Sequence, residues 1–134
     1  MPVNIYAEEI IAHYEHPHNK GGMKGASISM HNLNPLCGDD ITMHLMVKGD
    51  TLEDVRFEGT GCAISMATAS MLTDHVKGKS LKEIEGMGVS SVFELIGFDP
   101  GPARLKCATL SLRTLKEAAF AYQHKKVDAE TKSL

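Results

Sequence analysis

The chain has 134 residues, 43% hydrophobic and 23% charged, with a formal net charge of −3; this fits one domain, residues 1–134, around a single core. The mild acidity, with no basic stripe, argues against a nucleic-acid binder, and no apolar run is long enough to span a bilayer. The first six residues lack the basic and apolar regions of a signal peptide, so the three cysteines are expected as reduced thiols in the cytoplasm rather than as a disulfide framework.

Ile5, Ile10, Ile11 and Tyr14 among polar neighbours predict a short amphipathic helix over 5–15. His16-Pro17 ends it, because the residue before proline avoids the helical region, and His18 to Gly22 reads as a loop. Ala26 to His31 reads as a first strand. In the next stretch Ile41, Met43, Leu45 and Val47 alternate with polar residues, the pattern of a half-buried strand. Gly49-Asp50 supplies a two-residue turn. Leu52 to Glu58 returns, which makes an antiparallel hairpin with an apolar inner face.

Gly59-Thr60-Gly61 leads into a helix over 62–77, rich in small apolar residues and stopped by Gly78. Ser80-Leu81-Lys82-Glu83 is a capping box, and Ser91 to Glu94 reads as another. Asp99-Pro100-Gly101-Pro102 breaks the chain, with Pro102 in the first turn of a last helix. That helix carries Ala108, Leu112, Leu115, Ala119 and Tyr122 on one face. Residues 125–134 read as a polar, frayed tail.

The chemistry is centred on Asn34-Pro35-Leu36-Cys37-Gly38-Asp39. In an extended backbone Cys37 and Asp39 point to one face, and Gly38 between them leaves room for an ion. Cys62 opens one helix and Cys107 another, and helix N-termini stabilise the thiolate that ligates metal or attacks sulfur. The competing reading is a buried, space-filling cysteine. It is respectable for Cys62 and poor for Cys37 in its polar loop. No C-x-x-C pair is present, so spacing alone leaves shared ligation by Cys37, Asp39, Cys62 and Cys107 open. Three thiolates and a carboxylate suit tetrahedral zinc or a [2Fe–2S] cluster. Oxygen binds thiophilic ions less tightly than sulfur, so a site with Asp39 as its weak corner suits delivery better than storage. The histidines show no pair with ligand spacing in sequence, and the eight methionines read as core filler.

Four stretches carry a resemblance: Tyr14 to Gly21, Asn34 to Asp39, Phe57 to Ser70, and Leu105 to Ala108. In order, and over nearly the whole chain, they resemble the iron–sulfur cluster scaffold family of the IscU/NifU N-terminal/SufU type. The resemblance implies an α+β fold, a three-stranded antiparallel sheet with helices packed on it. It implies a scaffold rather than a turnover enzyme, one that takes persulfide sulfur from a cysteine desulfurase, builds a labile [2Fe–2S] cluster and passes it to apo iron–sulfur proteins. Cys37, Cys62 and Cys107 become thiolate ligands, with Cys107 a persulfide acceptor, and Asp39 the labile ligand.

Lys106 stands where many scaffolds have histidine. A protonated lysine cannot bind metal, so a partner role toward Asp39 or a thiolate is expected. Lysine there, with Gly61-Cys62-Ala63-Ile64-Ser65, is similar to the SufU branch, which implies zinc at the same site and a zinc-dependent sulfurtransferase as the alternative. The separation of Cys62 from Cys107 is closer to the scaffold branch. The Leu-Pro-Pro-Val-Lys-like run of IscU is missing, which puts an Hsp70-type chaperone partner in doubt. A monomer or weak homo-oligomer is expected. A third possibility is a zinc-stabilised interaction domain without sulfur chemistry.

Overall fold

Alternating apolar side chains build the centre of the molecule. The computed structural model describes residues 5–35 and 38–134. In it β1 (Ile28–Asn34), β2 (Asp39–Lys48) and β3 (Thr51–Thr60) form an antiparallel sheet in the order β1-β2-β3. The α+β expectation is met. Ile41, Met43 and Leu45 of β2 are fully buried, as are Leu52, Val55 and Phe57 of β3. Met43 lies opposite Phe57 and Leu45 opposite Val55, so large apolar side chains meet across the central pair. A register shift between Met46 and Val47 lets Leu52 face inward with Val55, although the two are an odd number of residues apart.

The helices are α1 (Ile5–Glu15), α2 (Ala63–Val76), α3 (Leu81–Glu85), α4 (Val89–Ile96), α5 (Leu105–Tyr122) and α6 (Ala129–Ser133). The α5 helix lies across β1 and β2, while α2 packs on β3, α1, α4 and α5. Every residue from Ser65 to Thr73 is therefore buried. Small residues make this possible, and the hydroxyls of Thr68 and Thr73 donate back to the carbonyls of Ile64 and Ser70. No helix among the described residues is long and apolar enough to cross a membrane.

Several boundaries differ from the sequence reading. The first strand runs to Asn34, three residues beyond His31. Its inward face continues past Met30 with Asn32, whose side-chain amide donates to Thr114 Oγ1 at 3.1 Å on α5. A polar residue facing inward broke the apolar pattern. Ser91 does not open its helix. Gly88 is the N-cap of α4, and its N–H donates to Ser91 Oγ at 3.2 Å. Pro102 precedes α5 rather than sitting in its first turn. The α1 helix keeps its predicted span, yet Ile11 and Tyr14 are 55% and 47% exposed.

The tail is not frayed. Asp128 accepts the Thr131 N–H at 2.9 Å as the N-cap of α6, and Leu134 beyond it is 2% exposed. One leucine after a polar run makes no periodicity, so only packing reveals this segment.

The Asn19-to-Gly21 loop is laid along β3. The Asn19 carbonyl accepts from Phe57 N–H at 3.0 Å, and Gly21 N–H donates to the Phe57 carbonyl at 2.8 Å. Where β3 ends, Gly59 has φ 141°, and a Cβ there would stand 1.9 Å from the Asp40 carbonyl oxygen. Both the backbone angle and the close approach demand glycine. Gly59→Ala is expected to destabilise the fold by about 3 kcal/mol, read as a lower urea midpoint with an unchanged slope.

Candidate metal and sulfur site

The pairing of the strands brings distant parts of the chain together at one end of the sheet. Asn34 at the end of β1 lies opposite Asp39 at the start of β2. Asp40 lies opposite Thr60, the last residue of β3. Cys62, two residues past Thr60, is the N-cap of α2. Cys107 is in the first turn of α5, which crosses the same strands.

The outcome is a cluster. One ligand atom from each of Asp39, Cys62 and Cys107 lies within 4.8 Å of the other two. Asp39 is fully buried and Cys107 is 2% exposed, whereas Cys62 is half-buried. Cys37 lies outside the described residues. The Gly38 N–H on its far side donates to the Asn34 carbonyl at 2.8 Å. Gly38 has φ 69°, so the conformation itself calls for glycine there, beyond the room for an ion that the sequence suggests.

A buried carboxylate is costly unless it is hydrogen-bonded. The Cys62 N–H donates to Asp39 Oδ1 at 2.9 Å. This donor stands at the N-terminus of α2, where the helix carries partial positive charge. No acidic side chain lies in the first turn of α2 or of α5, so neither end is neutralised from within.

Gly61 makes the approach possible. A Cβ at this position would lie 2.5 Å from Asp39 Oδ1 and 3.2 Å from Met66 Cε. The glycines of Gly59-Thr60-Gly61 thus have separate tasks: one admits the β2 backbone, the other admits the Asp39 carboxylate.

Lys106 is tied to the C-terminal helix. Its ammonium donates to the Ser133 carbonyl of α6 at 2.6 Å. The fold of the final residues, unread in the sequence, supplies that acceptor. A groove of about 200 Å³ beside Lys106 is lined by Leu33, Pro35, Leu110, Arg113 and Leu134. Leu33 on its edge is 60% exposed.

Sulfur atoms on a tetrahedral zinc, with bonds of about 2.3 Å, stand about 3.8 Å apart. A cluster already within 4.8 Å therefore needs only small side-chain adjustments to close on one ion. Two thiols and a carboxylate also match the donor types of an iron–sulfur site. Gly61→Ala pushes on the Asp39 carboxylate. It is expected to weaken zinc binding about tenfold or more, measured by competition with a chromophoric chelator.

Comparisons with known proteins place the chain in a family. The NifU-like N terminal domain family matches residues 5–129. The chain is 37% identical over 132 residues to the zinc-dependent sulfurtransferase SufU of Bacillus subtilis, covering 84% of this chain and 88% of that protein. It is 32% identical over 121 residues to the iron–sulfur cluster assembly scaffold protein IscU 1 of Archaeoglobus fulgidus, covering 90% of this chain and 78% of that protein. The nitrogen-fixing NifU-like protein (N-terminal) of Brucella abortus shares the fold, with a TM-score of 0.75 over 91% of this chain and 96% of that one, at 17% identity. By the match over most of its length and by these relatives, the chain belongs to the NifU-like N terminal domain family.

Proposed function

We propose that this chain is a cytoplasmic iron–sulfur cluster assembly scaffold that accepts sulfur and iron, holds a labile [2Fe–2S] cluster as cargo, and passes it on. The observation that carries this reading is the meeting of Asp39, Cys62 and Cys107 within 4.8 Å, from three elements far apart in the chain. Cys37 is the fourth ligand of the proposal. The partners it requires are a cysteine desulfurase and apo iron–sulfur proteins.

Sulfur arrives by thiol exchange. A thiolate of the scaffold attacks the outer sulfur of the desulfurase persulfide. A new S–S bond forms, the old one breaks, and its electron pair leaves with the desulfurase cysteine as thiolate. Converting that sulfur to sulfide then takes two electrons from an external reductant. Cys62, being half-buried, is the more accessible of the two described thiols. Cys107, 2% exposed, serves as acceptor only once its cover moves aside. The helix N-termini behind both sulfurs keep them reactive.

Asp39 gives the site its provisional character. Its oxygen holds iron less tightly than sulfur would, and the Cys62 N–H stays beside the carboxylate as a partner when it lets go. Release of the cluster is therefore coupled to the return of the carboxylate to that N–H.

A second reading is a zinc-dependent sulfurtransferase. It is favoured by the SufU relative and by lysine rather than histidine before Cys107. The residues fit: the same thiolates and carboxylate would hold the zinc. Zinc would keep the bound thiols deprotonated at neutral pH. Whether the protein counts as an enzyme turns on this point.

Anaerobic incubation with iron, a desulfurase, cysteine and a reductant separates the two. The scaffold reading expects cluster absorbance, acid-labile sulfide and activation of an apo-ferredoxin. Cys62→Ser is expected to abolish cluster formation, and Asp39→Ala to slow transfer severalfold. Zinc that iron cannot displace, together with faster desulfurase turnover, would favour the second reading. Thiol-blocked protein that performs as well as untreated protein would overturn both.

A further inference from the structure

A second group of metal-binding side chains lies well away from the cysteines. His13 on α1, His18 in the following loop, and Asp74 on α2 each present a ligand atom within 4.8 Å of the others. The sequence shows no histidine pair with ligand spacing, because the three are brought together only when α1 and its loop fold back onto α2. Asp74 lies about three turns along α2 from Cys62, roughly 18 Å at 1.5 Å per residue.

The arrangement is held from behind. Ser70 and Asp74 are four residues apart on α2 and share a face. Ser70 is fully buried, and its Oγ lies 2.7 Å from His13 Nδ1 and accepts the His18 backbone N–H at 2.7 Å. One hydroxyl thus positions both histidine residues. His13 offers one of its ring nitrogens to the group.

Asp74 Oδ1 accepts from the Asn19 amide at 2.8 Å, and Asp74 Oδ2 lies 2.5 Å from His18 Nδ1. Asn19 itself has φ 59° and donates to Thr73 Oγ1 at 3.0 Å. The two rings stand 4.6 Å apart between centroids. Imidazoles and a carboxylate braced by further hydrogen bonds are the pattern of a metal site, in which outer partners orient the ligands.

We propose that His13, His18 and Asp74 bind a divalent first-row transition ion such as zinc or ferrous iron, independently of the cysteine site. Two imidazoles and one carboxylate, with further positions open to water, are a familiar set for such ions. Ligand atoms on a tetrahedral ion with bonds of about 2.1 Å stand about 3.4 Å apart. His18 and Asp74 are exposed and His13 is half-buried, so small rotations of these side chains close the difference. The ion takes the place of the His18–Asp74 hydrogen bond, and it clamps α1 and its loop to α2.

The test is a zinc titration of the full-length apo-protein under reductant, followed by equilibrium dialysis and by NMR of the histidine rings. Two equivalents are expected. The His13 and His18 ring signals should move with one of them, while those of His31 and His44 stay in place. His18→Gln and Asp74→Asn should each remove one equivalent. Cobalt–thiolate absorption at the cysteine site should be unchanged in both.

Cys62→Ser should do the opposite, weakening the thiolate absorption and keeping the response of His13 and His18. The two sites therefore stand or fall separately. Silence of the His13 and His18 rings at saturating zinc would show that the cluster is only a structural latch and would overturn the proposal. Unchanged stoichiometry in His18→Gln would do the same. Should the variants fold poorly, the wild-type ring titration decides alone.

Discussion

The hydrogen bond from the Cys62 N–H to the Asp39 carboxylate is the constraint on which the site end of the molecule depends. A carboxyl group with no exposed surface needs a strong partner. It finds one at the N-terminus of α2, where backbone donors are unpaired and the helix dipole adds its field. This one contact joins the start of β2 to the start of α2. Gly61, between β3 and α2, is small because the carboxylate passes where its side chain would be.

The sheet makes that contact unavoidable. The β2–β3 pairing runs from Lys48 opposite Thr51 to Asp40 opposite Thr60, so the chain returns to Asp39 just as it leaves the sheet for α2. The buried row of Ile41, Met43 and Leu45 against Val55 and Phe57 holds the register, since a slip of one residue would turn that row to solvent. Packing far from the sulfurs therefore fixes how near they come. The same core carries α5 across β1 and β2, and so delivers Cys107.

The α2 helix serves both ends of the molecule. Its first residues face the sulfur cluster, and its last turns receive α1 through Ser70 and the following loop through Thr73 and Asp74. Around that second contact, burial and the neighbouring His18 lower the His13 pKa. Burial alone would raise the Asp74 carboxyl, but hydrogen bonds from His18 and Asn19 outweigh it and hold it below its usual range. The His-Pro loop is thus a built feature of the fold. It is stitched to β3 by backbone bonds and to α2 by side chains.

What could be read directly was local. Helix α1, the β2–β3 hairpin and α2 follow from periodicity and from glycine or proline at their ends, signals that neighbouring residues carry by themselves. Where an inward polar residue interrupts the pattern, as Asn32 does in β1, local reading stops short. Leu134 has no neighbours of its kind, so α6 and its hold on Lys106 were invisible. The cysteines were recognisable as reactive types at helix starts, but without a C-x-x-C spacing only family resemblance joined them in advance. The amino-acid sequence by itself determined which segments form strands and helices and which side chains are able to bind metal or sulfur. Which of those side chains meet was decided by tertiary structure, because strand register and helix packing act between residues that the linear order keeps far apart.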